Sequence, residues 1–231
     1  MGNIIAIGGG NYRDDEIFPI FERIVRMCGK ENPQVLFLPT AGFDDIEGDE
    51  PIADAFGRLG CRFDILYLTD KTLSREQIES SILGADIIYA GGGNLKFMMD
   101  TFHATGADDA LRKAYDRGII LSGFSSGAMC WFDSGYDDCG ENHEFMFVKC
   151  LGILPFCYCP HFISESWRSF EKAVTECGTS GIGVEDGAAL IFENGRYETV
   201  CGNDGGEVFF FDKNNNFRKL NITGQADVFL L

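Results

Sequence analysis

The chain has 231 residues, a formal net charge of −17 at pH 7, and 45% hydrophobic against 24% charged residues. That composition is globular and excludes disordered, collagen-like and low-complexity classes, and the length suits one domain. The acidic excess repels a phosphate backbone, which argues against nucleic acid as a partner, and no apolar run approaches roughly 18 residues, so no membrane span is expected.

The opening Met1-Gly2-Asn3-Ile4-Ile5-Ala6 is short and uncharged for a signal peptide, and Ala6 stands where a myristoylation signal needs Ser or Thr. Without an export signal, nine cysteines read as reduced thiols, and a cytoplasmic location is expected.

In chain order, residues 4–7 form a buried strand running into Gly8-Gly9-Gly10. Ile17, Phe21, Ile24 and Cys28 fall at helical spacing within 14–28. Strands are expected at 35–38, 63–68, 87–90 and 119–121, with helices at 51–59, 74–83, 95–102 and 108–116. Ser74 and Gln77 make a capping box for the second of these helices. Strands alternating with helices predict a mostly parallel sheet covered on both faces. After Gly135 an irregular, Cys-rich segment runs to Pro160, followed by a helix around 166–177. Strands are expected from 184 and over 188–192, and Asn194-Gly195 marks a hairpin into 197–200. A second hairpin pairs 207–211 with 217–220. The expectation is a single α/β domain over 1–231, a three-layer sandwich with antiparallel hairpins at its C-terminal side.

The sharpest chemical signal is Gly123-Phe124-Ser125-Ser126-Gly127, a G-x-S-x-G pentapeptide between a buried strand and the apolar run 128–132. A nucleophile elbow needs that strand–turn–helix context, with glycines where the turn is too tight for side chains. The bland alternative is a Gly-Ser loop with Ser125 or Ser126 capping a helix. A serine needs an adjacent base to become a nucleophile. Of His103, His143 and His161, the first ends a predicted helix and the second lies among acidic residues. His161, in an apolar setting after Cys159-Pro160, is the best-placed base, with a structural histidine as its alternative. A third group must orient the imidazole, and Asp133, Asp137, Asp138, Glu141 and Glu165 are all in reach by sequence.

Gly91-Gly92-Gly93-Asn94 follows another strand, and a backbone N–H there can pair with that of Ser126 as an oxyanion hole. A plain turn capped by Asn94 fits the same residues. Gly8-x-Gly10 has Arg13 where a dinucleotide fingerprint needs its third glycine. Cys157, Cys159 and His161 alternate on one face, but no second pair completes a zinc set, so packed thiols are expected and no metal.

Taken together, Gly91-Gly92-Gly93-Asn94, the elbow 123–128, and Leu151-Gly152-Ile153-Leu154-Pro155 leading to Cys159-Pro160-His161-Phe162 resemble the peptidase E (dipeptidase E) family, relatives of cyanophycinase. Cys130-Trp131-Phe132-Asp133 and Gly187-Ala188-Ala189-Leu190 resemble its Gram-positive-type branch, and the likeness runs over nearly the whole chain. The resemblance implies a class I glutamine-amidotransferase-like (flavodoxin-like) fold and a Ser–His–acid peptidase without cofactor, whose best-known members cleave dipeptides after an N-terminal Asp. It implies Ser125 as nucleophile, His161 as base and Asp138 as the acid, with Glu165 second, and backbone N–H groups of Gly92 and Ser126 as oxyanion donors. Ser126 stands in place of the usual Ala. The arginine expected shortly after the histidine does not align cleanly in Glu165-Ser166-Trp167-Arg168-Ser169; Arg168, with Glu165, is the substrate-binding candidate. A small peptide is the expected substrate and a homodimer the expected assembly. A non-catalytic binding or sensor protein, and a hydrolase of a non-peptide amide, are the alternatives.

Overall fold

The computed structural model describes residues 2–12, 15–47, 49–193 and 195–224. Its elements are β1 (Ile4–Ile7), α1 (Phe18–Cys28), β2 (Gln34–Leu38), α2 (Glu50–Arg58), β3 (Arg62–Ile65), α3 (Arg75–Gly84), β4 (Ile87–Ala90), α4 (Leu95–Thr105), α5 (Ala107–Asp116) and β5 (Ile120–Phe124). The chain continues through α6 (Ser126–Met129), β6 (Phe132–Asp137), β7 (Met146–Lys149), β8 (Leu154–Cys159), α7 (Phe170–Ala173), β9 (Gly181–Val184), β10 (Ala188–Glu193), β11 (Arg196–Cys201), β12 (Val208–Asp212) and β13 (Arg218–Asn221).

Local chemistry explains the helix ends. Pro19 sits in the first turn of α1, where its missing N–H costs nothing, and Gly29 closes it at φ 65°. Ser74 accepts from the Gln77 N–H and the Gln77 side chain accepts from the Ser74 N–H, the expected capping box. Asn94 caps α4 by accepting from the Phe97 N–H at 2.8 Å.

Two sheets carry the fold. The first has seven strands in the order β11-β10-β1-β5-β4-β2-β3. Its central β1, β5, β4, β2 and β3 are parallel, and β10 and β11 join antiparallel. The second has six strands in the order β13-β12-β9-β8-β6-β7, with parallel pairs at β6–β8 and β8–β9. Along β1, Ile5 and Ile7 face a core of Ile20, Phe21 and Phe56 from α1 and α2. Ile4 and Ala6 face the opposite core, where Ile82, Phe102 and Leu111 of α3, α4 and α5 meet Phe156 and Tyr158 of the second sheet. The two-residue side-chain period of a strand produces this division. A third apolar layer, including Cys159, Phe162, Phe170 and Phe211, lies beyond the second sheet.

The α/β sandwich with a parallel core is as expected, and so is the pairing of β10 with β11, whose Glu193 stands opposite Arg196. Asn194 of that turn, Asp14 at the expected start of the first helix, and Arg13 lie outside the described residues. Three expectations are corrected. The segment after Gly135 is not irregular: β6, β7 and β8 form half of the second sheet. Asp133, Ser134, Gly135 and Asp137 in β6 and Pro155 near the start of β8 disfavour a strand, and pairing with neighbours overrides them. The helix around 166–177 shrinks to a turn over Trp167–Ser169 and α7. Cys157 and Cys177 are disulfide-bonded, because the chain folds back over β8 after α7, while seven cysteines are free. Among the described residues no helix is long and apolar enough to cross a membrane.

Candidate active site

β5 delivers Ser125 at its C-terminal end, where α6 begins. Ser125 has φ 53° and ψ −119°, a backbone region that costs a non-glycine residue about 1–3 kcal/mol and that marks functional turns. The flanking glycines are sterically required. A Cβ on Gly123 would overlap the Gly127 carbonyl, and one on Gly127 would overlap the Ala90 carbonyl. The apolar run after the elbow gives a helix of only four residues before β6 starts at Phe132.

His161 follows β8 in the second sheet, also at positive φ (50°). Its backbone N–H donates to the Gly8 carbonyl at 3.1 Å, which ties the end of β8 to the end of β1. Its Nε2 lies 2.9 Å from Ser125 Oγ. Its Nδ1 lies 2.7 Å from Oδ1 of Asp186, a residue in the turn between β9 and β10. A carboxylate only accepts, so Nδ1 carries the proton and Nε2 is free to accept from the serine hydroxyl. Phe124 meets the imidazole edge-on at 6.1 Å, and Trp167 lies 5.3 Å from it between ring centroids. The His161 side chain is 27% exposed and that of Asp186 40%, so the pair sits at a mouth that a ligand can enter.

Gly92 packs beside the elbow, and a Cβ there would lie 3.3 Å from Ser125 Cβ. Among the described residues, the N–H groups of Gly92 and Ser126 have no acceptor within the protein. The arrangement can activate a hydroxyl, hold an imidazolium, and offer two donors beside the reacting oxygen.

The model for peptidase family S51 matches residues 4–200. The chain belongs to this family. The Bacillus subtilis (strain 168) protein named uncharacterized peptidase YgaJ is 32% identical over 216 residues, covering 90% of this chain and 91% of its own. The Listeria innocua uncharacterized peptidase Lin0382 is 21% identical over 169 residues, 69% of this chain and 78% of its own. The crystal structure of a peptidase from an acI-B1 Actinobacterium superposes with a TM-score of 0.74 at 19% identity, covering 99% of this chain and 97% of that one; at that identity the likeness concerns the fold. Family membership makes the protein a serine-type peptidase, as the peptidase E resemblance implies.

In this S51 peptidase the residues singled out by sequence do not all meet. Ser125 and His161 do, with Gly92 and the Ser126 backbone beside them. Asp138 does not occupy the acid position. It follows the last residue of β6, where its carboxyl faces that of Asp137, and Asp137 in turn holds the start of α4. Glu165 is exposed on the turn after His161, and Nδ1 is taken by Asp186 instead. Arg168 donates from Nε to the Phe162 carbonyl at 3.3 Å and its Nη2 lies 3.6 Å from Glu185 Oε1. Burial raises the Glu185 carboxyl above its ordinary range, with the Arg168 charge acting against that rise. His103 is exposed on α4 beside Asp108, and His143 is exposed in the turn Glu141–His143.

Sequence reasoning missed Asp186. The signal available was Asp186-Gly187, a turn dipeptide between two expected strands and hence at a sheet end.

Proposed function

We propose that Ser125, His161 and Asp186 form the catalytic triad of a peptidase acting on small peptides. The observation that carries this reading is the continuous hydrogen-bonded chain from Ser125 Oγ through His161 to Asp186. Ser125 Oγ attacks the scissile carbonyl carbon while its proton passes to His161 Nε2. The oxyanion accepts from the Gly92 and Ser126 N–H groups. The imidazolium, steadied by Asp186, gives its proton to the departing amine as the C–N bond breaks. Water then enters, loses a proton to the same Nε2 and attacks the acyl carbon, and the imidazolium returns that proton to Ser125 Oγ as the ester C–O bond breaks and the acid product leaves.

Arg168, half exposed, is engaged by the Phe162 carbonyl and by Glu185, so its guanidinium already has partners within the protein. A net charge of −17 adds a field that disfavours acidic ligands. The reading is therefore of hydrolysis without a strong preference for N-terminal Asp.

The test is a dipeptide and tripeptide library with a fluorophosphonate probe in parallel. Hydrolysis and labelling in wild type, both lost in Ser125→Ala with little change in stability, is the expected result. Retention of more than roughly a tenth of the activity in Ser125→Ala would remove Ser125 from the mechanism.

A further inference from the structure

Gly92 and Ser126 belong to different segments, so the spacing of their N–H groups depends on what fixes the turn 91–95 against the elbow. Two side chains that move no proton in the reaction do this. Ser126, only 1% exposed, donates its hydroxyl hydrogen to the Gly93 carbonyl at 2.6 Å. Asp137, also 1% exposed, ends β6 and accepts from the Leu95 N–H at 3.0 Å through Oδ2. The same oxygen lies 3.4 Å from Ser126 Oγ.

The turn is thus held on either side of Asn94, at residue 93 by the elbow's own side chain and at residue 95 by a carboxylate from the second sheet. A third hold comes from Ala41, whose carbonyl accepts from the Asn94 N–H at 2.8 Å. Gly93, at φ +140°, has no room for a Cβ against that same carbonyl. Gly92 is therefore next to a residue pinned on two sides. A buried carboxylate is costly unless its charge is used, and here it accepts from the Leu95 N–H in the first turn of α4, an eleven-residue helix whose N-terminal end favours negative charge.

We propose that the Ser126 hydroxyl and the Asp137 carboxylate are positioning residues for this peptidase, together setting the Gly92 N–H against the Ser126 N–H and so the geometry of the oxyanion hole. This rests on the reading of Ser125, His161 and Asp186 given above. Its consequence is specific: loss of either side chain weakens tetrahedral, anionic states while leaving ground-state binding in place.

The experiment compares wild type, Ser126→Ala, Asp137→Val and Asp137→Asn. Four quantities are read: the rate of Ser125 phosphonylation by a fluorophosphonate, the affinity for phenylboronic acid, whose serine adduct is tetrahedral and anionic, and kcat and KM for the best peptide in the library. Ser126→Ala is expected to lower the labelling rate, the boronate affinity and kcat together by about tenfold, with KM within twofold, the loss of one neutral hydrogen bond. Asp137→Val is expected to lose more, and Asp137→Asn, which keeps an acceptor for Leu95, to recover most of that loss. Wild-type labelling and turnover with unchanged boronate affinity and kcat in Ser126→Ala and Asp137→Val overturns the positioning role and leaves the triad standing. A shared rise in KM with no loss of boronate affinity also overturns it. Absence of labelling and turnover in the wild type overturns both readings.

Discussion

Gly9 and Asp186 share one space: a Cβ on Gly9 would overlap Asp186 Oδ1 and stand 2.5 Å from His161 Nδ1. The hydrogen bond between Asp186 and His161 forms where the second glycine of Gly8-Gly9-Gly10 leaves no side chain. The close of β1 therefore takes part in the site without contributing a functional group, and this accounts for a glycine motif that matches no nucleotide loop.

Gly9→Ala should displace Asp186 or turn His161. We expect kcat/KM to fall by at least about a hundredfold, since a misplaced catalytic group of roughly 1 Å costs that much. Fluorophosphonate labelling of Ser125 should fall with it, and circular dichroism should show a folded protein. Activity within threefold of wild type would show that the acid is not needed at that place.

Asp186→Asn should reduce kcat by about 10⁴-fold, because the amide favours the wrong imidazole tautomer. Asp138→Asn and Glu165→Gln should each stay within about fivefold of wild type, since the His161 ring nitrogens are taken by Asp186 and Ser125 and neither carboxyl lies on the proton path. Steady-state kinetics on the three variants separates the candidates, and a large loss confined to Asp138→Asn would restore it as the acid.

Arg168 is the residue to vary for specificity. Matched Asp-X and Asn-X dipeptides should give kcat/KM values within about threefold in wild type, against the 10-fold or more that a free guanidinium gripping a carboxylate supplies. Arg168→Ala should leave that ratio unchanged. A strong Asp preference that vanishes in Arg168→Ala would show that the guanidinium leaves Glu185 for substrate.

Burial pushes the Asp137 carboxyl up to about 6, with the neighbouring Asp138 adding to the rise and the Leu95 N–H opposing it. Between about pH 4 and that value the folded protein binds more protons here than the unfolded chain, so stability falls as pH rises through the window. The contribution is fully present below about pH 4 and lost above about pH 6. Asp137→Asn removes that dependence. It should raise Tm at pH 8, by the equivalent of about 1–3 kcal/mol, and by much less at pH 4. Equal Tm changes at both pH values would show that the carboxyl titrates normally.

The parts of the site visible in sequence are those fixed by local sterics. Gly123 and Gly127 are dictated by the turn that carries Ser125, and that requirement is written within five residues. His161 stands out because the serine needs a base, while His103 ends an expected helix and His143 lies among acidic residues. Asp186 depended on topology instead. Only the passage of the chain from β9 in the second sheet to β10 in the first brings the turn over Gly9, and no periodicity announces that crossing. The second sheet was hidden for a related reason. β6 carries Asp, Ser and Gly, and its strand conformation comes from β7 and β8 on either side. The counter-charge on Arg168 was equally out of view, since Glu185 lies 17 positions further along the chain.

Because Ser125 hangs from one sheet, His161 from the other, and Asp186 from the link between them, their hydrogen-bonded chain is a joint rather than a component of either half. Loosening of the second sheet would part the base from the nucleophile while the first sheet, with its own two apolar faces, stayed intact. Activity then reports on the seating of one sheet upon the other. Inactivation on heating should precede the loss of amide protection in β1, β4 and β5, and the interval between the two events measures how firmly the halves are seated.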